Sequence, residues 1–124
     1  MLVSLLGTCA AFAAVAITRG RDVVYLSLHA RVPVAAFTER PALSLYLGGT
    51  REGTAGLAKL DSSFSRALMV QTDTRARFIE DFIVLTPYGP MLGREVEILE
   101  GEYAGRRVFV PTRRARPTPL SGKP

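Results

Sequence analysis

Between Glu95 and Pro111 the side chains alternate in a pattern that only a β-strand uses. Val96 and Ile98 fall on one side, Glu95 and Glu97 on the other. After Glu100-Gly101-Glu102-Tyr103-Ala104-Gly105 the alternation resumes, with Val108 and Val110 opposite Phe109. Neighbouring strand side chains point to opposite faces, so a strand with one face in a core and one in water needs this period of two. The glycines between the two runs can take the positive φ values of a tight connection. Pro111 ends the second run because it lacks the N–H that a central ladder requires. The spacing predicts a β-hairpin of Glu95–Leu99 with Arg107–Val110.

From residue 22 onward no stretch shows a 3.6-residue period. Short runs rich in Val, Leu, Phe, Ile and Tyr predict further strands at Val23–Leu28, Val32–Phe37, Leu43–Leu47, Gly56–Leu60, Leu68–Thr72 and Ala76–Phe82. Turn signals separate them, among them Arg40-Pro41, Gly48-Gly49, Asp61-Ser62-Ser63 and Pro87-Tyr88-Gly89-Pro90. Asp61–Val70 reads alternatively as a short helix capped by Asp61 or Ser62. Frequent punctuation of short strands predicts an all-β barrel or sandwich. At 124 residues the chain has room for one domain, and with 48% hydrophobic and 22% charged residues it is not a wholly disordered chain.

MLVSLLGTCAAFAAVAI, residues 1–17, contains no charged side chain and is closed by Arg19 and Arg21. As a helix it would reach roughly 26 Å, just short of a ~30 Å hydrocarbon core. Its seven strongest apolar residues favour insertion by about 2 to 4 kcal/mol before Ser4, Gly7 and Thr8 are counted. Ala11-Phe12-Ala13 and Ala14-Val15-Ala16 are small-x-small sites suited to signal cleavage, although no basic region precedes the run. The segment therefore predicts a signal peptide or membrane-anchor helix over 1–18. A domain over 22–117 follows, with its barrel core about 68–117, and then a disordered tail over 118–124.

The formal charge of +5 is concentrated at one end. Residues 105–124 hold six basic side chains and no acid, whereas residues 1–104 hold ten bases and eleven acids. Arg94, Arg106, Arg107, Arg113, Arg114 and Arg116 are the candidate contacts for a polyanion or partner. The bias of 14 arginines to 2 lysines also suits a GC-rich genome with no ligand at all.

Catalysis finds little support in the residues. One histidine, His29, and one cysteine, Cys9, cannot build a Cys/His zinc site, and one cysteine cannot form an intramolecular disulfide. There is no G-x-S-x-G elbow, P-loop or G-x-G-x-x-G. Glu80-Asp81 and Glu95, Glu97, Glu100 and Glu102 supply carboxylates, but acid–base work needs a cleft that shifts their pKa values. Tyr88 reads as a packing residue of its turn. The expectation is a non-enzymatic protein with no cofactor and no metal.

GREVEILEGEYAGRRVFVP resembles the core of a small bacterial SH3-like β-barrel, and in particular its KOW variant, G-x-x-V-x-V-I-x-G-x-x-x-G-x-x-G-x-V. Gly93, Val96, Ile98, Leu99, Gly101, Gly105 and Val110 fall at those spacings, and Val108 replaces the last glycine. The stretch is also similar to a closing hairpin ending in G-W-V-P, with Phe109-Val110-Pro111 in that place. The resemblance implies a small SH3-like barrel preceded by an N-terminal hydrophobic helix. In exported or envelope proteins such barrels bind wall peptides or protein partners, with the membrane here engaged through residues 1–17 and a lean to the extracytoplasmic side. The KOW variant implies an alternative, RNA binding through loop arginines, which the four acids on the same hairpin oppose.

Overall fold

A computed structural model describes residues 22–29 and 31–120. The chain runs β1 (Val23–Leu26), β2 (Val34–Phe37), α1 (Arg40–Gly49), a 3-10 turn (Gly53–Gly56), α2 (Leu57–Phe64), β3 (Ala67–Val70), β4 (Thr74–Thr86), β5 (Gly89–Ile98), β6 (Arg107–Pro111), a second 3-10 turn (Thr112–Arg114) and β7 (Ala115–Arg116). The strands form one antiparallel sheet in the order β3-β2-β6-β5-β4-β1-β7.

β5 and β6 pair with Val96 opposite Val108 and Glu97 opposite Arg107, as the alternation requires. Val96, Ile98, Val108 and Val110 are buried together with Val24, Leu26, Ala36, Val70, Ala76, Phe78 and Ala115. All seven strands contribute to that one cluster, so the sheet curls around a single interior in a barrel-like manner. β1 and β2, well upstream of residue 68, supply part of it.

The expectation of an all-β, SH3-like barrel is overturned by two helices between β2 and β3. Leu43–Leu47 and Gly56–Leu60, read as strands, fall in or overlap α1 and α2. The physical reason is legible afterwards. Ala42, Leu43, Tyr46 and Leu47 stand at helical spacing behind Pro41, whose fixed φ suits a first helical turn. Runs of four or five apolar residues do not distinguish strand from helix. The two helices cover the outer face of the sheet with a second cluster of Phe37, Ala42, Leu43, Leu47 and Val84, flanked by Tyr46, Phe82, Met91 and Phe109. The rings of Phe37, Tyr46 and Phe64 lie 5.0 to 6.1 Å apart and tie α1 and α2 to β2.

No helix among the described residues is long and apolar enough to cross a membrane. The hydrophobic helix expected over 1–18 lies outside the described residues. So does residues 121–124 of the expected disordered tail, and within the described part of that tail the Leu120 N–H donates to the Asp73 carboxylate at 2.7 Å.

Val96→Asp or Ile98→Asp places a carboxylate among the buried side chains of all seven strands without a partner. Each substitution is expected to cost about 4 kcal/mol or more, abolishing the cooperative thermal transition followed by circular dichroism. A melting curve matching the parent would contradict the strand facing.

Candidate interaction site at the hairpin tip

The longest feature of the fold is the β4–β5 hairpin, and one extra residue sets its faces. Phe78 pairs with Val96 but Glu80 pairs with Glu95, so Ile79 is an unopposed bulge. Below the bulge Ala76 and Phe78 point into the barrel-like interior. Above it the parity of β4 reverses, and Asp81, Ile83 and Leu85 continue the inner face opposite Arg94, Leu92 and Pro90. Phe82 and Val84 turn instead toward α1.

Arg94 marks the boundary between the two halves. Its side chain is only 11% exposed and holds Asp81 through two hydrogen bonds of 2.6 and 3.0 Å. A third bond of 3.0 Å reaches the Ala115 carbonyl on β7, and the guanidinium lies 5.1 Å from the Phe78 ring centroid. This planar fork closes the end of the interior with every contact directed at protein groups.

Beyond Arg94 the hairpin carries no charge. Phe82–Gly93 is twelve residues without Asp, Glu, His, Lys or Arg, bracketed by the paired Asp81 and Arg94. No strand among the described residues pairs with the outer edge of Ile79–Thr86, and β5 meets β6 only from Gly93 onward. On the projecting ribbon Ile83, Leu85 and Leu92 are 65%, 77% and 58% exposed. Together with Pro90 they form one apolar face in water. This uncharged run is the signal that sequence reading missed, because the Pro87–Pro90 turn interrupts it.

The opposite face is firmly held. A Cβ at Gly93 would come within 2.9 Å of both the Phe82 ring and Leu43, so glycine lets β5 lie close beneath α1. Arg40, at the start of α1, stacks 4.1 Å above the Phe82 ring and pairs with Glu80 at 2.8 Å and Glu95 at 3.7 Å. Ser44 donates to the Leu85 carbonyl at 3.0 Å. At the turn, the Glu52 carboxylate takes a 2.7 Å hydrogen bond from Lys59. That bond, and secondly one with the Tyr88 hydroxyl, holds Glu52 below its ordinary pKa, while Lys59 is raised by the same partner. Tyr88 is raised by burial first and by Glu52 second. Glu52 and Lys59 thus form the latch that faces the exposed Tyr88 at the turn.

The arginines expected to meet a polyanion do not form one patch. Arg94 is committed inside. Arg106 and Arg107 are exposed at one end of β6, with Arg107 3.7 Å from Glu95. Arg113 and Arg114 lie in the 3-10 turn at its other end, about 17 Å of strand away. Arg116 is exposed on β7 opposite Tyr25. The hairpin acids are largely matched: Glu95 is buried beneath Arg40 and Arg107, Glu97 is 3.8 Å from Arg77, and Glu100 is 3.3 Å from Arg75. Of the motif glycines, Gly101 and Gly105 have φ of 85° and 90°, as the connection demands. His29 is exposed. Among the described residues no group of three or more His, Cys, Asp or Glu is placed to hold a metal.

Neither a protein-family model, nor a curated protein, nor a solved structure matches this chain. The likeness of residues 93–110 to SH3-like and KOW hairpins therefore gains no support from known proteins.

Two outcomes follow for the hairpin. Arg94→Met keeps the apolar stem but removes the bonds to Asp81 and Ala115, and should lower stability by about 1–3 kcal/mol in urea titrations. Asp81→Asn, at a more exposed group, should cost under about 1 kcal/mol. For Glu52 the lowered folded pKa gives a contribution that is full above the ordinary carboxylate value and is lost as pH falls through the folded value. Glu52→Gln should accordingly flatten the acid limb of the urea midpoint against pH, and an unchanged limb would contradict the latch.

Proposed function

We propose that the protein is a non-catalytic interaction module held at a cell membrane by its uncharged residues 1–17, with the β4–β5 ribbon lying against the lipid interface. The observation that carries this reading is that β1 begins at its end nearer the hairpin tip. β1 runs antiparallel to β4, with Val23 opposite Arg77 and the Asp22 carbonyl accepting from the Phe78 N–H at 2.9 Å. β4 then proceeds from that point to the tip at Thr86. Asp22 therefore lies at the end of β1 nearer the tip.

Three large aliphatic side chains exposed on one face of a well-braced ribbon lose free energy in water, at roughly 25 cal/mol per Å² of apolar surface. An interface where aliphatic groups reach the acyl boundary relieves that loss. Arg51 and Arg113, with no ion pair among the described residues, line one cavity with Leu92, which suits the negative surface of a membrane with anionic lipids. Of the acids of the β5–β6 hairpin, Glu97, Glu100 and Glu102 lie toward its other end, and Glu95 beside Arg94 is buried under Arg40 and Arg107.

The reading is tested with full-length protein in vesicles of phosphatidylcholine and phosphatidylglycerol. In a Cys9→Ser background, a polarity-sensitive fluorophore at Leu85→Cys should shift to the blue and resist an aqueous quencher, whereas one at Glu102→Cys should not. Equal quenching at both positions, or a wholly soluble pool of intact full-length protein on cell fractionation, would overturn it.

A further inference from the structure

Beside the ribbon, a cavity of about 450 Å³ opens between the end of α1, the start of β5 and the 3-10 turn after β6. Its apolar lining comes from Leu47, Met91, Leu92 and Pro111, and its polar lining from Thr50, Arg51, Thr112 and Arg113. No acid lines it. Neither arginine has a carboxylate within ion-pair distance among the described residues, as is also true of Arg31, Arg106, Arg114 and Arg116 but not of Arg40, Arg66, Arg75, Arg77, Arg94 and Arg107. The nearby Glu52 is already bound to Lys59.

The Thr112 hydroxyl oxygen, like those of Ser27 and Thr72, is buried without a hydrogen-bond partner and is enclosed by protein rather than open to the cavity. The two guanidinium groups match the oxygens of a phosphate, which arginine recognises through its planar fork. The apolar remainder of the wall would be wasted on an inorganic ion. The volume lies within the range of about 300–1,000 Å³ common for small-molecule sites.

We infer that this cavity binds a phosphate ester carrying an apolar chain, with Arg51 and Arg113 on the phosphate and Leu47 and Met91 against the chain. Such an ester is presented either by a phospholipid headgroup region or by a soluble alkyl phosphate. Binding of the soluble ester does not depend on the ribbon touching a bilayer.

The test uses full-length protein in phosphatidylcholine nanodiscs, observed through backbone amide resonances. Hexyl phosphate should shift the amides of Arg51 and Thr112 saturably, inorganic phosphate should do so only weakly, and hexanol should not. Arg51→Gln and Arg113→Gln should each weaken hexyl phosphate about tenfold. Nanodiscs doped with phosphatidic acid identify the source. Shifts there without a response to hexyl phosphate assign a lipid ligand, and the reverse assigns a soluble one. No saturable response to either ester, an equal response to hexanol, or unchanged affinity in both arginine variants overturns the inference. If the label at residue 85 stays in water while hexyl phosphate binds, the membrane reading fails and the cavity site stands.

Discussion

The single residue inserted at Ile79 governs how this sheet can be both a closed core and a projecting ribbon. A strand of thirteen residues with strict alternation would send the same parity inward throughout. The bulge reverses that parity midway, so Phe82 and Val84 face the helices while Ile83 and Leu85 face away. Both faces of the upper hairpin are consequently apolar, one covered by α1 and the other bare. Without the extra residue, Phe82 and Val84 would be turned away from α1, and the second hydrophobic cluster would lose its sheet-side wall.

Charge enforces the boundary that the bulge creates. Arg94 and Asp81 sit where the interior ends, and Arg40 spans Glu80, Glu95 and two aromatic rings on the opposite side. These guanidinium groups combine stacking with directed hydrogen bonds, which an ammonium on a flexible stem does less well. The abundance of arginine over lysine thus has structural use in the body of the domain, beyond any contribution of the basic C-terminal stretch. It also explains why carboxylates gathered on one hairpin do not repel each other: Glu95, Glu97 and Glu100 each have an arginine from a neighbouring element.

The late hairpin was legible because its alternation is strict and one-sided, so that Val96 and Ile98 could be assigned to the core from spacing alone. The helices were not. Leu43–Leu47 is a short apolar run, and what makes it a helix is the surface offered by Phe37, Val84 and Phe109, residues distant in sequence. Asp61–Val70 was divided between helix and strand by tertiary pairing of β3 with β2, although Asp61 lies inside α2 rather than capping it. Glu95 was expected to face solvent; α1 covers it through Arg40, a consequence of helix placement that local alternation cannot contain. The apolar tip was present as an uncharged run, but its continuity depends on seeing that Pro87–Pro90 is a turn between two paired strands. The orphan Thr112 hydroxyl has no sequence signature.

The free edge of Ile79–Thr86 would limit how deeply the ribbon could work in lipid under the proposed membrane reading. Apart from the Leu85 carbonyl, taken by Ser44, its outward amides and carbonyls have no strand beside them among the described residues. Hydrocarbon offers such groups no hydrogen bonds, so full immersion would be penalised at each one. Against a membrane, a ribbon of this construction would be a skimmer: its aliphatic side chains would dip past the headgroups while its spine rode at the level where water still reaches.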